Sequence, residues 1–277
     1  MSDERFNDKV AAVTGAGSGI GRALAKELAR RGCHLALSDV NEVGLAETVA
    51  ACEGRGVKVT SQLLDVADRK AVFKWADSVV EDHGRVNLVF NNAGVALGAT
   101  VETMDIADFE WLMGVNFWGV VHGTQAFLPH LKEARDGHIV NISSIFGLIS
   151  IPTQSAYNAA KFGVRGFTDA LRMELEIDPC GVSCTTIHPG GVRTNIARSA
   201  RVDAALASKA APGGVGAEFD RIAMTTPAKA ARQILAAVER DRRRALIGPD
   251  AKLVDFISRL PAAFYQTILV AGAKRRM

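Results

Sequence analysis

The chain has 277 residues, 48% of them hydrophobic and 23% charged, which is the composition of a globular protein with a large buried core. Its net charge of +3 is too small to mark a nucleic-acid surface, and no nucleic-acid partner is expected. No apolar run follows the charged start Met1-Ser2-Asp3-Glu4-Arg5, and no stretch is long and apolar enough to span a bilayer, so the expected location is the cytoplasm.

Short β-branched runs alternate with longer helix-like segments. Strands are predicted over Lys9 to Thr14, His34 to Asp39, Val57 to Leu64, Val86 to Asn91, His138 to Ser143 and Val182 to His188. Helices are predicted over Ile20 to Arg31, Glu42 to Glu53, Arg69 to His83, Ile106 to Leu131 and Ser155 to Ile177. Strands joined by helical crossovers imply an α/β fold, a Rossmann-type doubly wound parallel sheet with helices on both faces. Residues 1–250 are expected to form this single domain, and residues 251–277 a helical C-terminal extension. Thr194 to Thr226, with Pro212-Gly213-Gly214 at its middle, breaks the alternation after the last predicted strand and is expected to be a substrate lid. The four cysteines, Cys33, Cys52, Cys180 and Cys184, read as reduced thiols; Cys180 and Cys184 lack a second ligand pair, so no metal site is expected.

Thr14-Gly15-Ala16-Gly17-Ser18-Gly19-Ile20-Gly21 lies where a strand turns into a helix, the context that makes a glycine run a dinucleotide seat. Gly15 permits the tight turn, Gly19 lets the backbone approach a pyrophosphate, and Gly21 allows close helix–strand packing; Ser18 and Ile20 complete the seat. The free N–H groups of the helix start then face the phosphates. Asp39 ends the second strand, 18 residues after Gly21, where a carboxylate accepts hydrogen bonds from ribose hydroxyls and repels a 2′-phosphate. No Lys or Arg lies within the glycine run or directly after Asp39, so NAD is expected over NADP. Asp65 and Val66 end the third strand, and Asn92, Ala93 and Gly94 follow the fourth, all at the carboxyl edge where such sheets bind ligands.

Tyr157 and Lys161 stand four apart on one helix and share a face. A phenol ordinarily titrates near pH 10, too high for an easy base, and a neighbouring ammonium favours its phenolate. With these motifs in this order, the chain resembles the classical short-chain dehydrogenase/reductase family from about residue 7 to 250. That resemblance implies a catalytic set of Asn116, Ser144, Tyr157 and Lys161. Tyr157 is then the general acid/base, Ser144 orients the carbonyl or alcohol oxygen, Lys161 lowers the phenol and holds the nicotinamide ribose, and Asn116 holds a water joining Lys161 to solvent. Pro189, Gly190, Val192 and Thr194 match the family's late cofactor contacts. The family's habits further imply a homodimer or homotetramer built on the two long central helices.

Val95, Ala96 and Leu97, with Phe146, Leu148, Ile149 and Ile151, flank this centre and point to a neutral, fairly hydrophobic secondary alcohol or ketone as substrate. Small diols and diketones of the acetoin/diacetyl type are the alternative, and Arg193, Arg198 or Arg201 near the lid would suit an acidic group. A rival reading is a redox sensor that binds NAD without turning it over, which the intact Ser144, Tyr157 and Lys161 argue against. Toward the end, Arg242-Arg243-Arg244 and Lys274-Arg275-Arg276 read as solvated basic faces. Leu253 to Leu260 and Ala262 to Ala271 read as apolar helices parted by Pro261; contact with a membrane surface through them is the less favoured reading.

Overall fold

The computed structural model describes residues 5–208 and 223–274. Seven parallel strands form the central sheet: β1 (Val10–Thr14), β2 (His34–Asp39), β3 (Val59–Leu63), β4 (Leu88–Asn91), β6 (Gly137–Ile142), β7 (Val182–Pro189) and β9 (Arg244–Ile247). Their spatial order is β3-β2-β1-β4-β6-β7-β9. The order reverses between β1 and β4, so the two connections leave in opposite directions and open a crevice at the carboxyl ends of those strands.

Each central strand is buried on both sides, and successive residues serve opposite cores. Ala11 and Val13 face one cluster with Leu35, Leu37, Val140 and Ile142, while Val10 and Ala12 face another with Ala36 and Ile139. The first cluster is completed by α1 (Gly19–Arg30), α2 (Glu42–Cys52) and α8 (Pro227–Glu239), and the second by α3 (Arg69–His83), α5 (Gly119–Ala134) and α6 (Ser155–Ile177). The doubly wound fold expected from the alternation is the fold observed.

Three predicted elements, β2, α3 and α6, have the observed limits; Asp68 caps α3 by accepting from the Ala71 N–H at 3.1 Å. The predicted helix Ile106 to Leu131 is instead interrupted. It comprises α4 (Ile106–Met113), a π-turn over Gly114–Trp118, and α5. Periodicity cannot show one extra residue per turn, and such turns gather at functional sites. The strand β9 and helix α8 went unrecognised in the sequence. The four residues of β9 begin inside the run Arg242-Arg243-Arg244, whose charge masks the strand pattern. That run is not simply solvated: Arg243 pairs with Glu176 at 2.7 Å and Arg244 with Asp169 at 2.8 Å.

Much of the expected lid, including Pro212-Gly213-Gly214, lies outside the described residues. Its described part is structured: β8 (Arg201–Val202) pairs with β5 (Leu97–Gly98), α7 (Ala204–Ala207) follows, and Val192 bridges to Thr225. The tail forms α9 (Pro249–Ile257) and α10 (Ala262–Lys274). Among the described residues, no single helix is long and apolar enough to cross a membrane.

Two buried histidines sit on β6 and β7. The His138 Nε2 lies 2.8 Å from the Thr185 hydroxyl, and the His188 Nδ1 lies 2.7 Å from the Ser144 carbonyl oxygen, to which it must donate. Burial pushes both imidazoles down to about 4 from an ordinary 6.5. Between those values the folded chain binds fewer protons than the unfolded chain, so stability rises with pH across that window and is lost as pH falls through it. Urea unfolding midpoints are expected to drop steadily from pH 6.5 to about pH 4, with His138→Gln flattening part of the slope. A midpoint independent of pH over that window would show that the two imidazoles are not held neutral.

Candidate active site

The turn between β1 and α1 has the geometry its glycines permit. Gly15 and Gly19 adopt left-handed φ values of +65° and +53°. A Cβ on Gly21 would lie 2.1 Å from the Gly15 carbonyl oxygen, and one on Gly15 would lie 2.8 Å from the Ala93 Cα. On Gly19 it would lie 3.0 Å from Thr194 Cγ2, so the late loop after β7 closes against the start of α1. Ser18, extended and exposed, makes no side-chain capping bond; Ile20 is half-buried in the first turn. The bare helix start, facing a cleft that a Cβ would fill, fits a pyrophosphate.

Asp39 ends β2 beside this turn. One carboxylate oxygen accepts from the Gly17 N–H at 2.7 Å and the other from the Asn41 N–H at 2.8 Å. Arg22 is the nearby cation that the sequence reading passed over. Its guanidinium donates to the Gly17 and Gly44 carbonyls and pairs with Glu47 at 2.7 Å, which offsets its charge. Asp65 and Val66 follow β3 as expected, yet their groups face their own neighbourhood. The Asp65 carboxylate accepts from the Ala67 N–H at 2.9 Å, and the Val66 carbonyl lies 3.1 Å from His122 Nδ1.

The candidate catalytic residues come together from three elements. Tyr157 and Lys161 lie in the first two turns of α6, with the Lys161 Nζ 5.5 Å from the Tyr157 ring centre. Ser144, just after β6, accepts from the Phe146 N–H at 3.1 Å and lies beside the Tyr157 phenol, whose pKa it lowers. Lys161 is buried and donates to the Ile142 carbonyl at 3.0 Å. Gly94 lies between the cofactor cleft and this centre: a Cβ there would be 3.3 Å from Asn116 Oδ1 and 3.7 Å from Lys161 Nζ. The Asn116 carboxamide, carried on the π-turn, is committed to Val95, accepting from its N–H and donating to its carbonyl, both at 2.8 Å. Its side chain therefore braces the loop after β4.

Burial governs the titration of the pair. It pushes the Tyr157 phenol up to about 12, against the lowering influence of Ser144, and draws Lys161 down to about 8. Desolvation disfavours the charged form of each group, the phenolate and the ammonium alike.

Apolar side chains enclose the centre. Phe146 meets the Tyr157 ring edge-on at 6.3 Å, and Tyr157, like Val95 and Met113, packs against the buried cluster of Leu97, Ala99, Leu112, Ala156 and Ala160. Leu148 and Ile149 belong instead to the buried interior. Two of the three arginines that follow β7 are engaged by protein groups. Arg201 pairs with Asp108 at 2.6 Å and lies 3.6 Å over Trp111, and Arg193 donates to the Ala223 carbonyl at 3.0 Å.

Pro189, Gly190, Val192 and Thr194 run along the end of β7, held by a residue that sequence reasoning missed. Asp250, in the first turn of α9, accepts from the Gly191 N–H at 2.5 Å, and a Cβ on Gly190 would strike its carboxylate at 2.2 Å. The turn signal Gly248-Pro249-Asp250 was visible, but only a recognised β9 would have brought it to this edge.

Comparison with known proteins agrees with this arrangement. The short chain dehydrogenase family profile matches residues 9–205. SadH, a Mycobacterium tuberculosis protein assigned as an oxidoreductase, is 48% identical over 272 residues, covering 98% of this chain and 97% of its own. Dehydrogenase/reductase SDR family member 7B of Xenopus tropicalis is 32% identical over 278 residues, covering 98% of this chain and 87% of its own. A Burkholderia phymatum short chain dehydrogenase/reductase in complex with NAD superposes with a TM-score of 0.82 at 34% identity, covering 91% of this chain and 92% of that one. An alcohol dehydrogenase from Thermococcus sibiricus, complexed with 5-hydroxy-NADP, gives 0.70 at 27% identity, covering 86% and 95%. The chain belongs to the short-chain dehydrogenase/reductase family of oxidoreductases, whose members bind nicotinamide cofactors.

Proposed function

We propose that this protein moves a hydride between NAD(H) and a neutral, fairly hydrophobic secondary alcohol or ketone, with Tyr157 as general acid/base. The observation that carries the reading is the convergence of Ser144, Tyr157 and Lys161, with Tyr157 against an apolar cluster and Gly94 of the loop after β4 beside the Lys161 Nζ. The nicotinamide supplies the hydride acceptor or donor. In reduction, the Tyr157 phenol gives its proton to the carbonyl oxygen while the Ser144 hydroxyl holds that oxygen in place. In oxidation, the phenolate takes the alcohol proton, which requires its pKa to fall from the value burial imposes. A protonated Lys161 5.5 Å from the ring supports that fall. The same lysine, with Asn92, Ala93 and Gly94, would hold the nicotinamide ribose, and Pro189, Gly190, Val192 and Thr194 would line the far side.

NAD is favoured over NADP by the carboxylate at the end of β2. Asp39, fixed by two N–H donors, has lone pairs left for ribose hydroxyls and faces any 2′-phosphate with a like charge. The engagement of Arg201 with Asp108 and Trp111 supports a substrate without an anionic group. Trp118, Phe162, Met173 and Ile177, exposed on the π-turn and α6, support a homodimer or homotetramer joined through these helices.

Tyr157→Phe is expected to lower turnover of hydrophobic secondary alcohols on the order of 10²–10⁴-fold, with NADH binding by fluorescence nearly unchanged. Substantial residual turnover would refute the role, and silence of the wild type on every alcohol tested, with NADH still bound, would favour a sensor. In direct titration NADH is expected to bind at least about tenfold more tightly than NADPH, a difference of about 1.4 kcal/mol. Asp39→Ser should narrow that gap, and equal affinities in the wild type would defeat the assignment.

A further inference from the structure

Helices α9 and α10 meet at 119° across Pro261 and present apolar side chains to solvent. Leu253, Phe256, Phe264 and Ile268 are each more than half exposed, and Leu260 is exposed between them. Spacings of three and four residues place them along one side of each helix. Among the described side chains of α10, only Tyr265 and Leu269 are even half-buried, so this apolar helix rests on the body by two residues. A helix of 13 residues is marginal on its own in water, and this one gains little from packing.

Charge decides what covers it. Residues 251–277 contain Lys252, Arg259, Lys274, Arg275 and Arg276 against the single acid Asp255, a net +4; the whole chain is +3, which leaves −1 for residues 1–250. The entire positive excess of the protein therefore accompanies its exposed apolar helices. A second copy brought face to face would add like charge to like, whereas an anionic bilayer surface offers both an apolar layer and the opposite charge.

We propose that the α9–α10 pair is a docking surface for an anionic membrane, lying on it without crossing it. The surface adjoins the candidate site at two points. The Tyr265 hydroxyl lies 3.5 Å from the Ser150 N–H, six residues beyond Ser144, and α9 begins with the Asp250 that holds Gly191. Docking there brings the lipid to the segment that follows Ser144. Direct delivery of an apolar substrate from the bilayer rests in addition on the proposed function; the docking itself is read without turnover.

The test is flotation of the full chain with vesicles of phosphatidylcholine alone and of phosphatidylcholine mixed equally with phosphatidylglycerol. Binding is expected to the mixed vesicles, to fall with added salt, and to be weak on phosphatidylcholine. Phe264→Ser/Ile268→Ser and, separately, Lys274→Glu/Arg275→Glu/Arg276→Glu are each expected to weaken it about tenfold or more, with unaltered circular dichroism. No flotation, or equal flotation on both vesicles, overturns the proposal. So does a drop in particle mass by light scattering for Phe264→Ser/Ile268→Ser without loss of flotation, which would assign the surface to a second copy.

Discussion

The whole site depends on how β1 and β4 are stapled where they part. The Thr14 hydroxyl accepts from the Asn92 and Ala93 N–H groups, both at 3.0 Å, and donates to the Phe90 carbonyl. The Asn92 carboxamide returns the contact to the Thr14 and Gly15 carbonyls at 2.9 and 3.2 Å. Neighbouring strands whose connections leave in opposite directions would otherwise expose unpaired backbone groups at the switch point, at about 1–3 kcal/mol for each buried group. Pairing them through a short hydroxyl and a carboxamide leaves a narrow cleft floored by backbone. Only glycine and alanine fit along that floor, which is why a small-residue run recurs at both Gly15 and Gly94.

From that floor the reacting groups are placed by backbone contacts across β6, α6 and β7. Ser143 donates to the Lys161 carbonyl at 2.8 Å, and Lys161 reaches back to the Ile142 carbonyl. His188 on β7 donates to the Ser144 carbonyl, and a Cβ on Gly147 would lie 2.4 Å from the Ser143 hydroxyl. Each of the three hydrogen bonds joins residues 18 or more apart in the chain, so the spacing between Ser144, Tyr157 and Lys161 is set by the sheet and its covering helix. Such placement keeps side chains within the narrow tolerance that proton transfer requires.

Sequence reasoning reached the residues whose chemistry is local and missed those whose role depends on distant partners. The turn from Thr14 to Gly21 is legible because three glycines answer three steric demands within eight residues. Tyr157 and Lys161 are legible because helical geometry alone puts them on one face. Asn116 was found by resemblance, whereas its grip on the Val95 backbone, 21 residues away and delivered by a π-turn, was not legible. Asp250 was missed for the same reason: its partner Gly191 is 59 residues earlier, and the intervening β9 is four residues long behind three arginines. Arg22 sits next to the glycine run and reads as an exposed helix residue until the Gly44 and Glu47 groups fold against it.

The buried pair at the centre explains why a cofactor of changing charge suits this pocket. Burial alone moves Tyr157 and Lys161 toward their neutral forms, the phenol up and the ammonium down. A pocket dry enough to hold an apolar substrate thus works against the phenolate that alcohol oxidation needs. The same dryness strengthens every charge that enters, because attraction scales inversely with the local dielectric. On the proposed function, the positive ring of an oxidised nicotinamide would favour the phenolate of Tyr157 when a base is wanted, and a neutral reduced ring would let the phenol keep its proton when an acid is wanted. In that arrangement the protonation state of Tyr157 would follow the oxidation state beside it, while burial draws Lys161 down to about 8.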